Sequence, residues 1–250
     1  MVQRQVTVKV ERYHPERGTE PYIQEYQVPV KDGMMVLDAL NYIKDNLDPT
    51  LAFRWSCRMG ICGSCGMNVN DGAKLTCQDR MDSYDDKDVR VAPLDNFPVV
   101  RDLVVNIDDF MDKLKAVKPW LIRKEEKPLS EGEYLQTPAQ HAVYDHHSAC
   151  INCLLCYSAC PVYGLEDEPE FLGPAAIALA HRYNLDSRDQ GADQRYPVLS
   201  DPNGIWDCTF VGECSTVCPK GVMPAEAIQR TKVDSAQRFA TSVLMPWRNK

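Results

Sequence analysis

Eleven cysteines in a chain of 250 residues are the side chains best equipped for chemistry, and all of them fall into three groups. The first is Cys57, Cys62, Cys65 and Cys77; the second is Cys150, Cys153, Cys156 and Cys160; the third is Cys208, Cys214 and Cys218. An odd number of thiols with no export signal argues against a disulfide framework, and thiols crowded this tightly in a reducing compartment usually hold metal. Cys57-x4-Cys62-x2-Cys65 followed by Cys77 has the plant-type spacing of a [2Fe–2S] cluster, in which four thiolates converge on two irons. Gly60, Gly63 and Gly66 let the loop turn tightly and bring N–H groups toward the sulfurs, which favours the more negative, reduced form. A zinc site is the alternative, but its usual paired C-x2-C knuckles are missing here.

Cys150-x2-Cys153-x2-Cys156-x3-Cys160-Pro161 is the bacterial ferredoxin run, whose fourth cysteine in two-cluster proteins serves the other cluster. Cys150, Cys153 and Cys156 are then completed by Cys218 as a [4Fe–4S] site, and Cys160 joins Cys208 and Cys214. Laying the same run over the third group puts Val211 where a ligand belongs. That site is one thiolate short of a cubane, which predicts [3Fe–4S]; the rival is a [4Fe–4S] cluster whose open corner takes water or a substrate, as in a Lewis-acid hydratase. Serial clusters without an obvious substrate pocket favour electron transport. One cluster of each type predicts about nine irons and ten sulfides per chain.

The elements that must position these groups divide in two. Residues 4–12 and 23–30 alternate apolar and polar side chains around Gly18 and Pro21, which predicts two paired strands. Asp32 is the expected cap of a helix carrying Val36, Leu37, Leu40, Ile43 and Leu47 on one face, before Pro49. The cysteine loop 56–66, a strand near 66–70, an Asp71-Gly72 turn and a strand near 89–92 follow, giving a small mixed sheet with one helix across it. Helices are expected over 102–116 and, with Thr137 as cap and Pro138 as first residue, over 138–147; a charged connector covers 119–136. Apolar stripes at 174–183 and 224–236 make the remainder helical. The boundary is expected near 105–110, giving domains 1–106 and 107–250.

Composition narrows the class further. Twenty-eight Lys and Arg against 36 Asp and Glu leave a formal charge of −8, which gives no support to nucleic-acid binding. Apolar residues at 44% and charged residues at 26% suit an ordinary globular chain. The longest apolar stretches, such as Ala175–Ala180, fall far short of a membrane span. The opening MVQRQVTVKV reads as a strand rather than a signal peptide, so a soluble chain on the cytoplasmic side is expected. No G-x-G-x-x-G dinucleotide fingerprint occurs, so any hydride chemistry feeding the clusters belongs to a partner.

R-W-S-C-R-M-G-I-C-G-S-C-G at 54–66, C-I-N-C-L-L-C-Y-S-A-C-P at 150–161 and C-T-F-V-G-E-C-S-T-V-C-P-K at 208–220 resemble the iron–sulfur subunit of the succinate:quinone oxidoreductase and quinol:fumarate reductase family. The resemblance runs from about residue 4 to 240. It implies an α+β chain: an N-terminal β-grasp ferredoxin domain, then an all-helical ferredoxin-like domain. It also implies a flavoprotein subunit with covalent FAD where succinate and fumarate interconvert, and membrane anchor subunits that help form a quinone site. The chain itself would carry electrons and no dicarboxylate site, peripheral on the cytoplasmic face of the membrane. The family's ligand assignments agree with the crossover above. F-L-G-P-A-A-I-A-L-A-H-R-Y-N at 171–184 and Thr209-Phe210 resemble fumarate reductase more than succinate dehydrogenase, whose tryptophan-rich segment after the Cys-Pro is here Val162-Tyr163-Gly164. That departure favours a menaquinone-type pocket. By resemblance, Pro161, Thr209, Phe210, Gln229 and Lys232 lie near the quinone, with Lys232 hydrogen-bonding a quinone oxygen.

Other residues take plainer readings. His146 and His147 precede Cys150, where three thiols make an imidazole ligand unnecessary, so surface or packing roles are expected. Trp55 and Trp206 are expected to shield clusters and fill core, Asp82–Asp88 to be a solvated turn, and Arg123–Lys127 to be exposed linker. Two other functions fit the motifs: a soluble ferredoxin-like carrier or relay of another flavin dehydrogenase, and a colourless zinc interaction module.

Overall fold

A computed structural model describes residues 4–18, 20–70, 72–84, 88–165 and 170–245. Its strands are β1 (Arg4–Arg12), β2 (Tyr22–Val30), β3 (Gly66–Val69), β4 (Gly72–Leu75), β5 (Val89–Ala92), β6 (Val99–Arg101) and β7 (Val104–Val105). Its α-helices are α1 (Val36–Tyr42), α2 (Asp108–Ala116), α3 (Pro138–Ala142), α4 (Asp145–Ser148), α5 (Leu155–Ser158), α6 (Pro174–Leu185), α7 (Ala192–Leu199), α8 (Glu213–Thr216) and α9 (Pro224–Leu244). Among the described residues no helix is long and apolar enough to cross a membrane. Two compact units result: Met1–Ile107 with Ile151–Ala159, and Asp108–Cys150 with Cys160–Lys250.

In the first unit the strand order is β2-β1-β5-β3-β4. β1 pairs antiparallel with β2 from Arg4↔Val30 to Arg12↔Tyr22 and parallel with β5 at Val8↔Val89, so the two ends of the unit meet in the middle of a mixed sheet. This is the β-grasp arrangement. Alternation explains its core, because Val6, Val8 and Val10 share one face of β1 and are buried with Val28, Val89 and Val91 beneath Val36, Ala39 and Leu40 of α1 and Ile43 just after it. The start of α1 differs from expectation. A turn closed by Met34 N–H on Lys31 O intervenes after Asp32, and Asp38 caps the helix instead by accepting the Met35 N–H at 3.1 Å. Its end differs too: residues Ile43–Leu47 form a wider π turn, with Asp48 N–H on Ile43 O, which rotates Leu47 out to 45% exposure.

The expected helix over 102–116 begins only at Asp108, because the β-branched residues at 99–100 and 104–105 pair as β6 and β7. Asp102, in the left-handed region at φ 47, turns between them. Its buried carboxylate accepts Arg12 Nε at 2.9 Å, Tyr13 N–H at 3.1 Å and Ala52 N–H at 2.9 Å. The turn is therefore set by hydrogen-bond partners distant in sequence, the Ala52 N–H at a separation of 50 and the Arg12 guanidinium at 90.

The segment Ile151–Ala159 belongs with the first unit rather than with an unbroken second domain. The reason is local: Ser158 Oγ accepts Asp95 N–H at 2.9 Å, and Asn96 Nδ2 donates to Tyr157 O at 2.9 Å and Ser158 O at 3.0 Å. Asp71 of the expected Asp71-Gly72 turn lies outside the described residues, and the flanking strands pair as Val69↔Gly72. Residues 85–87 of the expected Asp82–Asp88 turn also lie outside them; Met81–Tyr84 is a short helical turn with Met81 and Tyr84 buried.

The second unit is helical. Thr137 caps α3 as expected, in a reciprocal pair with Gln140: Gln140 N–H donates to Thr137 Oγ1 at 3.2 Å and Thr137 N–H to Gln140 Oε1 at 2.9 Å. The helix stops at Ala142, however, and resumes as α4. α6 is the hub, packing on α4, α7, α9 and α2. Its first turns, Pro174 to Ala178, are buried almost without a break, because small side chains let its neighbours approach from several sides. α9 has buried side chains only as far as Ser235, with Thr231 and Ser235 polar among them; Phe239, Val243 and Leu244 are exposed. In the connector, Lys124, Glu125 and Glu126 are exposed as expected, whereas Arg123 is half-buried, stacked on Tyr134 and bonded to Arg188 O at 2.7 Å.

Candidate metal centres

None of the eleven cysteines is in a disulfide. Among the described residues no three His, Cys, Asp or Glu side chains close on one point in the manner of a mononuclear metal site. The thiols instead border open loops and a cavity.

Cys57, Cys62 and Cys65 lie on the loop leading into β3, and Cys77 follows β4. Thr76 ties the two arms together, its N–H and Oγ1 both donating to Cys65 O at 3.1 and 3.0 Å. Arg58, Gly60 and Gly63 take φ values of 58, 67 and 74, which curl the loop so that its amides face inward. Cys57 Sγ accepts N–H groups from Met59 at 3.5 Å, Ile61 at 3.3 Å and Cys62 at 3.3 Å, and Cys62 Sγ accepts Cys57 N–H at 3.5 Å. Those amides, Met59 first, pull the Cys57 thiol down to about 6. Burial pushes Cys65 the other way, to about 11. The donor set is thus four sulfurs, two toward the interior and two nearer solvent, with peptide dipoles aimed at the outer pair. It fits an anionic iron–sulfur cage. Gly63 has no freedom to be anything larger, since a Cβ there would stand 2.7 Å from Ile151 O and 2.9 Å from Cys153 Cα.

Two contacts at this loop had no signal in the sequence. Gln78 Nε2 donates to Cys77 O at 2.9 Å and reaches Cys77 Sγ at 3.7 Å. Arg58 stacks on Trp55 at 4.5 Å, and Trp55 is 40% exposed, so it covers the lip of the loop rather than filling core. Trp206, 46% exposed, likewise lies outside the core.

In the second unit Cys160, Cys208 and Cys214 border one cavity, together with Pro161, Thr209, Phe210 and Val211. Its floor is apolar, made by Phe171, Pro174, Ala225 and Ile228. Cys214, on α8, is pushed up to about 11 by burial and then by the facing Cys160 and Cys208. Cys160 is raised by burial, against N–H bonds from Tyr163 and Val162. Cys160 and Cys214, two thiols that resist ionising, face the third sulfur of Cys208, a donor set suited to iron in a sulfide cage, whose metal charge favours the thiolate form. Val211 stands on the rim at 58% exposure between Phe210 at φ 60 and Gly212 at φ 92, and offers no donor atom. Lys232 on α9 donates to Cys208 O at 2.8 Å, and the buried Nε2 of Gln229 has no protein partner among the described residues.

Of the remaining thiols, Cys153 and Cys156 lie in the first unit, on the segment carrying α5. Cys150 and Cys218 lie in the second, packed against Ala178, Val222 and Ala227. Cys218 Sγ accepts Val222 N–H at 3.4 Å. His147 is buried and His146 exposed, in keeping with packing and surface roles.

Comparison with known proteins agrees with this chemistry. A family model for a 2Fe-2S iron-sulfur cluster binding domain matches residues 7–112, and one for a 4Fe-4S dicluster domain matches residues 146–222. The fumarate reductase iron-sulfur subunit of Mycobacterium tuberculosis is 58% identical over 242 residues, covering 97% of each chain. That of Escherichia coli is 53% identical over 239 residues, covering 96% of each. Among solved structures, a chain of the Mycobacterium smegmatis Sdh1 complex in the apo form superposes with a TM-score of 0.83 at 30% identity, over 95% of this chain and 98% of that one. With four-cysteine and two-cluster domains in this order and relatives matching end to end, the chain belongs to the family of fumarate reductase iron–sulfur subunits, the electron-transferring component of succinate:quinone oxidoreductases.

Proposed function

We propose that this chain relays single electrons between a flavoprotein's dicarboxylate site and a membrane quinone through three dissimilar clusters. Cys57, Cys62, Cys65 and Cys77 would hold [2Fe–2S]; Cys150, Cys153, Cys156 and Cys218 would hold [4Fe–4S]; Cys160, Cys208 and Cys214 would hold [3Fe–4S]. When bound, the clusters supply one-electron redox chemistry, in the order flavin, [2Fe–2S], [4Fe–4S], [3Fe–4S], quinone. The flavin is FAD on the partner flavoprotein, and the quinone, of menaquinone type, is shared with membrane anchor subunits that hold this chain peripherally at the cytoplasmic face.

The observation that carries the reading is the cavity bordered by exactly three cysteines, with an isopropyl group on its rim where a fourth ligand belongs. The chain's own residues do the rest. Val211 withholds the thiolate that would complete a cubane. Pro161, Thr209 and Phe210 give the cavity an apolar wall on its exposed side, Phe210 being 58% exposed, suited to a flat hydrophobic ring. Lys232 brings a cation up to Cys208, its Nζ donating to Cys208 O, where it would stabilise negative charge developing on a quinone oxygen. Gln229, three residues before Lys232 on α9, keeps a buried N–H without a protein partner among the described residues. Electron paramagnetic resonance of the air-oxidised complex is the test: a three-iron signal is expected, and its absence from iron-replete protein would overturn the assignment of the third site.

A further inference from the structure

Outside the cysteine groups, the second unit buries two histidines that the relay does not use. His147 and His181 are each 1% exposed, and their rings meet edge to face with centroids 5.3 Å apart. Nδ1 of His147 lies 2.9 Å from Val222 O. A carbonyl only accepts, so Nδ1 carries the hydrogen and donates it. The same residue then makes the next link, its N–H donating to Cys218 Sγ.

The turn that carries Val222 needs holding. Gly221 and Met223 on either side have φ of 63 and 57, a left-handed backbone that a side chain such as that of Met223 adopts only under strain. The carbonyl that His147 grips belongs to the peptide joining Val222 to Met223, so the bond acts on the strained unit itself. His147 is braced in turn. Thr231 Oγ1 gives its single hydrogen to Ala227 O at 2.7 Å, so toward His181 it accepts, and His181 Nδ1 donates to it across 3.1 Å. Burial holds His147 below the ordinary histidine range and His181 at about 4, so both rings stay neutral and the bracing persists at neutral pH.

We propose that His147 is a positioning residue for the Cys218 thiolate: by anchoring Val222 it keeps an N–H on that sulfur and raises the reduction potential of the cluster Cys218 completes. An N–H···S bond favours the reduced, more negative state, so losing it lowers the potential. The inference rests on the assignment of Cys218 to the [4Fe–4S] site.

Two substitutions separate the hydrogen bond from simple filling of space. His147→Phe keeps a ring against His181 and removes the donor; His147→Asn keeps an N–H near the Nδ1 position and removes the ring. Redox titration of the purified complex, followed by electron paramagnetic resonance, should show the [4Fe–4S] cluster of H147F about tenfold harder to reduce, about 59 mV for one electron. H147N should remain near the parent value, and the [2Fe–2S] midpoint should not move in either. A [4Fe–4S] cluster assembled in H147N but not in H147F supports the proposal as well. An unmoved midpoint in H147F, a shift in H147N as large as in H147F, or loss of the cluster from both overturns it. Cys218→Ala checks the underlying assignment by itself: a [4Fe–4S] spectrum that survives it removes Cys218 from the site and the inference with it, whatever the histidine variants do.

Discussion

Val211→Cys supplies the thiol that the third cysteine group lacks, and its consequences follow from where Val211 stands. The side chain is 58% exposed on the rim of the cavity shared by Cys160, Cys208 and Cys214. Shortening it forfeits at most part of one buried methyl group, below about 0.5 kcal/mol when a fully buried methylene contributes about 0.8 kcal/mol. Folding and assembly should therefore be unaffected, and a change in metal content is chemistry at the site. Iron should rise by one per chain, from about nine to about ten, and the three-iron signal of the oxidised sample should vanish. A fourth thiolate adds negative charge, so the potential of the site should fall, each 59 mV making its reduction about tenfold less favourable. Quinone-linked turnover should slow while turnover with an artificial dye at the flavoprotein is kept. Unchanged iron and an unchanged oxidised spectrum in well-folded V211C protein would refute the ligand assignment, because a thiol beside the three others could not then be facing a cluster.

Three further outcomes are expected. Lys232→Met removes a cation bonded to Cys208 O and should cut quinone-linked turnover by about ten- to a hundredfold, corresponding to ~1.5–3 kcal/mol for a charged hydrogen bond, with dye-linked turnover retained. Arg12→Met leaves the Asp102 and Asp48 carboxylates without their guanidinium, at a cost of ~3–5 kcal/mol, and should lower the temperature at which the visible absorption of the complex is lost. Burial alone would raise Asp186, but Arg188 bonds outweigh it and hold the carboxyl well below the ordinary range. Its folded pKa thus lies under its unfolded one, so its contribution is present above about pH 4 and lost as pH falls toward the folded value; Asp186→Asn should flatten the acid limb of a stability–pH curve.

The cysteine spacings were legible because most ligands to one cluster are local in sequence and the loop between them must be short. β1 and β2 were legible because one buried face imposes a period of two. What stayed hidden depends on partners distant in sequence. Val104 and Val105 sit within a stretch that reads as helix until Asp102 is seen bonded to Arg12 and Ala52. Asp32 has the composition of a cap, but Asp38 has the reach. Leu47 fits the apolar stripe by count and misses it by one residue of π winding. In the third group the place of Val211 beside Cys160, Cys208 and Cys214 was legible from register alone, whereas the bond from Lys232 to the Cys208 carbonyl needed α9 folded back over the loop.

The membership of Ile151–Ala159 in the first unit bears on the order in which the chain matures. During synthesis the β-grasp sheet has all its strands once Ala92 has emerged, and the hairpin of β6 and β7 follows by Val105, yet the partners of Asp95 and Asn96 arrive only with Tyr157 and Ser158. Until then the surfaces beside Gly63 and Gly66 lack Ile151, Cys153 and Leu155, which they pack against in the folded chain. Closure of the cysteine loop against Ile151 and Cys153 is therefore coupled to chain that follows the N-terminal strands by about fifty residues, so this unit is completed only once the segment carrying α5 is made.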